Sequence, residues 1–237
     1  MRKLIIQVQI DPKHNKHVIS RKFHHINDLY ELSASQAKKY AEFCNSDYVQ
    51  ITDCSFLPDK HPCFQRLKLF HMDQYDSILY LDSDAVLMDN VPNIFELYGH
   101  NDFCATWDIN WASDSDYYKN VLTQVQKRYN SSNTYKPFCS GVMLLHRNFI
   151  DRAKTIYPKY LEEFNNRGYY DQGVLNKTVV EMGEQYTRLP EDWGAWYKTG
   201  KYIVHLATSK KKNFDLEKFT QKHQIQFQTN TRQMIAS

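Results

Sequence analysis

The sequence has no stretch approaching the ~18 unbroken apolar residues that a membrane-spanning helix needs. It opens MRKLIIQVQIDPK, where Gln7 and Gln9 interrupt the apolar run before a secretory core can form. A cytoplasmic protein, with no signal peptide and no membrane span, is expected. Any C-x-x-C pair is also missing. The five cysteines, Cys44, Cys54, Cys63, Cys104 and Cys139, are odd in number and widely spaced, so free thiols are expected rather than zinc or dithiol chemistry. Asn130-Ser131-Ser132 and Asn176-Lys177-Thr178 match the glycosylation pattern, which has meaning only in a secreted chain and is set aside. Strong charge of either sign is lacking too: 30 Lys and Arg against 27 Asp and Glu leave +3. That balance is too mild to make nucleic acid the main partner and suits a modest anion such as a diphosphate. Repeats and low-complexity tracts are absent. What is present, 237 residues of which 42% are apolar, can bury one sizeable core. One domain over residues 1–222, followed by a polar tail at 223–237, is the expected organisation.

Along the chain, strand and helix signals alternate. Leu4 to Ile10 is apolar and β-branched, a first strand, and a polar loop from Asp11 to Ser20 follows. Tyr30, Ala34, Ala37, Ala41 and Cys44 share one helical face, and Ser33 with Gln36 has capping-box spacing. Tyr48 to Ile51 is a short strand. FQRLKLFHM, residues 64–72, predicts an apolar-striped helix leading into the strand Ile78 to Leu81. Four consecutive apolar residues imply burial on both faces, as in a parallel sheet covered by helices. Further strands are expected at Asp102 to Trp107, Phe138 to His146, Tyr186 to Leu189 and Tyr202 to Leu206. A helical stripe from Ala153 to Phe164 must start, kink or split at Pro158. Another helix opens near Asp171 with Val174, Leu175 and Val179 inward. The fold class is therefore α/β, a mostly parallel central sheet flanked by helices.

Asp82 and Asp84 come directly after the most strongly marked strand, at the carboxyl end where open α/β sheets place ligands. In extended backbone, positions i and i+2 point the same way, and two close carboxylates repel unless a proton or cation lies between them. Oxygen ligands suit Mg2+ or Mn2+, which can bridge diphosphate oxygens and offset the charge of a departing group. On spacing alone, a strand end at Asp82 and a turn cap at Asp84 compete evenly with this reading.

The stretch RLKLFHMDQYDSILYLDSDAVLMDNVPNIFEL resembles the donor-binding core of glycosyltransferases with the A-type nucleotide-sugar fold. It is most similar to the retaining family that includes glycogenin and bacterial lipopolysaccharide galactosyltransferases, whose DxD motif is matched by Asp82-Ser83-Asp84. Three further segments follow in the family's order: CSGVMLL at 139–145, DQGVLN at 171–176 and HLATSKK at 205–211. The resemblance implies a metal-dependent transfer of a hexose-type sugar from a UDP-sugar to a glycan or glycoprotein acceptor, with retention. It implies that Arg66, Asp82, Ser83, Asp84 and Ser140 bind the donor and that Asp171 meets sugar hydroxyls with Gln172 near the anomeric carbon. His205 completes a metal site with Asp82 and Asp84, and Lys211 reaches the diphosphate, with Lys210 and Lys212 beside it. The imidazole shifts the implied metal toward Mn2+, with Mg2+ the alternative. Two positions depart from the pattern: Cys139 stands where the family has asparagine, and Thr208 where it has glycine. The first loop lacks the family's Thr- and Asn-bearing base contact and offers Gln7, Gln9 and Asp11 instead.

Two other functions compete. LDSDAVL also resembles the paired aspartates of haloacid-dehalogenase-type phosphatases, but that motif normally sits near the amino terminus and leaves DQGVLN and HLATSKK without a role. A non-catalytic sugar-nucleotide binding module would accommodate Cys139 and Thr208. Trp107, Trp111, Trp193 and Trp196 are expected in loops where an acceptor can rest.

Overall fold

The computed structural model of the chain describes residues 1–10, 24–107, 137–165, 170–183, 186–194, 200–206 and 215–225. In order these form β1 (Lys3–Val8), α1 (His24–Phe43), β2 (Asp47–Ile51), a 3-10 helix (Pro62–His71), β3 (Ser77–Asp82), β4 (Ala85–Leu87) and α2 (Ile94–Tyr98). There follow β5 (Phe103–Trp107), β6 (Phe138–His146), α3 (Arg147–Ile156), a 3-10 turn (Tyr157–Tyr160), α4 (Leu161–Asn165) and α5 (Tyr170–Met182). Last come β7 (Thr187–Leu189), the short turn Glu191–Trp193, β8 (Ile203–His205) and α6 (Leu216–His223).

Six strands make one sheet in the order β2-β1-β3-β6-β5-β7. The pairs β1–β2, β1–β3 and β5–β7 are parallel, while β6 runs antiparallel to both of its neighbours. The sheet is thus mostly parallel and covered on both faces, as the unbroken apolar runs imply. Alternation sorts the side chains: Leu4, Ile6, Ile78, Tyr80, Met143 and Leu145 pack with the 3-10 helix, α3 and α5. Ile5, Leu79, Leu81, Val142 and Leu144 pack on the other face with α1, α2 and Trp193. A separate pair, β4 with β8, forms a second small sheet. It is backed by Leu29 and Leu32 of α1, with Val86, Val204, Leu206 and Ile225. No helix among the described residues is long and apolar enough to cross a membrane.

Several expectations are corrected. α1 begins at His24, so Ser33 lies inside the helix and is fully buried rather than capping it. Residues 62–71 wind as a 3-10 helix, not an α-helix. Pro62 sits in its first turn, and the His61 side chain accepts from the Cys63 amide. The apolar stripe of so short a segment does not separate a period of 3.0 from 3.6. Pro158 does split its helix, leaving α3 and α4 on either side of a 3-10 turn. Trp193 is buried to 1% exposure against Tyr98 and Tyr202, because its turn folds inward; it has no surface to offer an acceptor. Trp107 ends β5 with the Arg188 guanidinium 4.4 Å from its ring centre, while Trp111 and Trp196 lie outside the described residues.

Candidate active site

β3 delivers Asp82 to the carboxyl end of the parallel half of the sheet. Ser83, half-buried, and Asp84 turn the chain there, and β4 leaves into the second sheet. β8 pairs antiparallel with β4 so that Ala85 faces His205, and the Leu206 amide donates to the Asp84 carbonyl at 2.9 Å. This pairing carries a histidine distant in sequence to the two aspartates. His205 Nε2 lies 3.4 Å from Asp82 Oδ2 and 3.3 Å from Asp84 Oδ1. β6 passes the same point, and a Cβ on Gly141 would lie 2.3 Å from His205 Cε1 and 2.9 Å from Asp82 Oδ2. Only glycine lets that strand come so close.

Beside this corner sits a buried guanidinium. Arg66, from the 3-10 helix, donates through Nη2 to Asp82 Oδ1 at 2.9 Å. Through Nη1 it donates to the Ser140 carbonyl at 2.9 Å and the Ser140 hydroxyl at 2.7 Å. Its Nε lies 2.6 Å from Asp171 Oδ2, a close charge contact that falls off the line of a hydrogen bond. The group lies 4.7 Å from the centre of the Tyr80 ring, whose hydroxyl donates to Asp82 Oδ1 at 2.8 Å. Gln172 Oε1 accepts from the Ser140 amide at 3.2 Å and its hydroxyl at 3.1 Å. Asn176, one turn further along α5 and 0% exposed, holds both polar groups of the Phe138 backbone.

Burial penalises every charge here, and the neighbours decide the outcome. For Arg66, burial opposes the charge, but Asp171 and Asp82 outweigh it and hold the guanidinium well above its ordinary value. Burial pushes Asp82 up, while Arg66 and the hydrogen bond from His205 prevail and hold it below the ordinary carboxylate range. His205 is pulled toward neutrality by burial, yet Asp84, with hydrogen bonds to Asp82, Asp84 and Cys139, holds it well above its usual value. Asp171 is different: burial dominates over Arg66 and raises it to about 6.

Asp82 is therefore divided in use. Oδ1 is engaged by Arg66 and Tyr80, and Oδ2 turns toward His205 and Asp84. Among the described residues, Asp82, Asp84 and His205 form a group whose donor atoms all lie within 4.8 Å of one another. Two carboxylates and an imidazole fit a divalent transition metal, and a proton on His205 meets the same electrostatic need. Of the expected site residues, Arg66, Asp82, Asp84, Ser140, Asp171, Gln172 and His205 converge. Arg66, expected on the donor, is turned onto Asp82, Ser140 and Asp171. Lys211, with Lys210 and Lys212, lies outside the described residues. Tyr80 and Asn176 join the site without having been expected there. Tyr80 stands two residues before Asp82 on the same side of β3, and Asn176 stands four after Gln172 on one helical face, spacings that place both at the site.

Similarity to known proteins is slight in sequence. No family model matches the chain. An uncharacterized protein of Acanthamoeba polyphaga mimivirus is 29% identical over 93 residues, which span 38% of this chain and 31% of that protein. Similarity in structure extends further. A glycosyltransferase involved in the glycosylation of the major capsid of PBCV-1 superposes with a TM-score of 0.55 at 12% identity, covering 94% of this chain and 99% of that one. The chain has the A-type glycosyltransferase fold. An active-site mutant of LgtC shares it with a TM-score of 0.53 at 14% identity, over 92% of this chain and 94% of that one. Within an A-type fold, the Asp82–Asp84–His205 corner stands where the sheet presents its strand ends, and Ser140 and Gln172 line the adjoining wall.

Proposed function

We propose that the chain is a glycosyltransferase that moves a hexose-type sugar from a nucleotide diphosphate, with UDP the implied nucleotide, to a glycan or glycoprotein acceptor. The observation that carries this reading is the convergence of Asp82, Asp84 and His205 at the strand ends of an A-type fold. Asp82, Asp84 and His205 would hold Mn2+; Mg2+ suits a set containing an imidazole less well. When bound, the cation offsets the charge that builds on the diphosphate as the sugar leaves.

The chain's own residues do the rest. Arg66 fixes Asp82 by one oxygen and so leaves the other toward the cation site. Ser140 links Arg66 to Gln172, which orients the Gln172 amide along the wall where the sugar would lie. Asp171 and Ser83 would meet donor hydroxyls and phosphate, and Lys211 would add positive charge at the leaving group. Retention would then proceed by attack from the leaving-group side, the departing phosphate oxygen taking the acceptor proton. A phosphatase would need one Asp82 oxygen for its cation and the other open for attack, whereas Oδ2 faces the cation site and Oδ1 receives both Arg66 and Tyr80.

Incubation with a panel of nucleotide sugars and Mn2+, with nucleotide release followed over time and the product anomer read by NMR, tests the proposal. Release from one donor with retained configuration is expected. Inversion would exclude the leaving-group-side mechanism. Release of phosphate from simple esters would favour the phosphatase, and tight donor binding without release the binding module.

A further inference from the structure

The corner that carries the two aspartates is pinned through its backbone by three different elements. The Asp84 carbonyl accepts from the Leu206 amide of the β8 side. The Asp82 carbonyl accepts from Gln7 Nε2 of β1 at 3.3 Å, and the Ala85 carbonyl accepts from the Ser33 hydroxyl of α1 at 2.7 Å. Gln7 and Ser33 are themselves joined, Nε2 donating to Oγ at 2.9 Å, and the Tyr48 hydroxyl donates to Gln7 Oε1 at 2.8 Å, which sets the amide's orientation.

Both side chains are out of place by composition. Gln7 interrupts an apolar strand and is 1% exposed, and Ser33 sits mid-helix at 0%. Burying an amide and a hydroxyl where apolar side chains would pack is unfavourable unless the groups are hydrogen-bonded. Here each directs a donor at a carbonyl flanking Ser83 and Asp84.

Resting on the metal-site reading above, we propose that Gln7 and Ser33 are positioning residues that hold the β3–β4 corner so that Asp82 and Asp84 present their carboxylates together to a divalent cation. Neither touches the cation; both act on the backbone from which its ligands project. Loss of such outer support typically weakens metal binding by about 10–100-fold.

The test is Mn2+ binding by the full chain, followed by electron paramagnetic resonance, with the metal-free melting temperature of each variant measured alongside. The variants are Ser33→Ala, Gln7→Met and, as a control, Tyr40→Phe. Tyr40 is a buried α1 hydroxyl that donates to the Pro92 carbonyl and accepts from the Ile94 amide, away from the corner. About tenfold weaker Mn2+ binding is expected for Ser33→Ala and Gln7→Met. Tyr40→Phe should lose melting temperature but keep wild-type affinity. Ser33→Ala removes a single oxygen and decides the matter alone if Gln7→Met does not fold. Wild-type affinity in the folded variants would overturn this proposal while leaving the metal site standing, as would equal weakening by Tyr40→Phe. A wild-type chain that takes up no Mn2+ would overturn the metal-site reading and this one with it.

Discussion

On one side of Asp82 a guanidinium lies between two carboxylates, hydrogen-bonded to Asp82 and Ser140, touching Asp171 and resting on Tyr80. On the other side Asp82 Oδ2 and Asp84 Oδ1 face the imidazole of His205, which balances them only while it carries a proton. Both regions are buried and both are charged, yet the first carries a permanent internal cation and the second a removable one. The first is built to hold its shape. On the metal-site proposal the second exchanges a proton for a metal, and that difference separates the residues expected to control stability from those expected to control activity.

Removing the permanent cation should have the largest effect. Arg66→Met leaves Asp82 and Asp171 buried without their common partner, and a loss of about 3–5 kcal/mol in urea unfolding is expected. Asp84→Ala should cost less metal-free stability than Arg66→Met, since His205 can lose its proton. It should abolish the gain of about 2.7 kcal/mol that a site ligand at a hundred times its dissociation constant confers. If Asp84→Ala unfolds the chain as Arg66→Met does, the comparison breaks.

Gly141 borders both regions, and Gly141→Ala should cost about 1–3 kcal/mol because the added methyl meets His205 and Asp82. Its effect on Mn2+ affinity, measured by calorimetry, should exceed that of any change made beside Arg66 that preserves the fold. A pH dependence is expected as well. The folded chain keeps a proton on Asp171 up to about 6, against 3.8 for the free side chain. Between those values unfolding releases that proton, so the Asp171 contribution to stability falls as pH rises and is flat outside the window. Asp171→Asn should remove this slope from a series of denaturant melts across pH 4–6.

How much of this was legible in the sequence depends on how far each element relies on its own residues. β1, β3 and β6 are long apolar runs buried on both faces, and their expected bounds fall within about two residues of those observed. Asp82 and Asp84 needed only that strand and their own spacing. β8 falls inside the strand expected at Tyr202 to Leu206, whereas β4 is three residues with no periodicity to detect, and it is the pairing of the two that carries His205 to the aspartates. The family resemblance supplied that histidine, which local pattern could not. α2, five residues capped by Asn93, is likewise below the length at which a helical stripe can be seen. Ser33 misled because a hydroxyl three residues before a glutamine matches a capping box equally well when its partner is the Ala85 carbonyl, far along the chain. Gln7 was noted as an interruption of an apolar run; that an amide there reaches Asp82 depends on the β1–β3 register, which no local pattern encodes.

The most direct test of the central claim is the thermal stability of the chain and its Asp84→Ala variant with a panel of nucleotide sugars, each with and without Mn2+. The account predicts that one donor raises the wild-type melting temperature only when Mn2+ is present and that the variant shows no such rise. A donor-dependent rise that needs no metal, or one that survives Asp84→Ala, would contradict it.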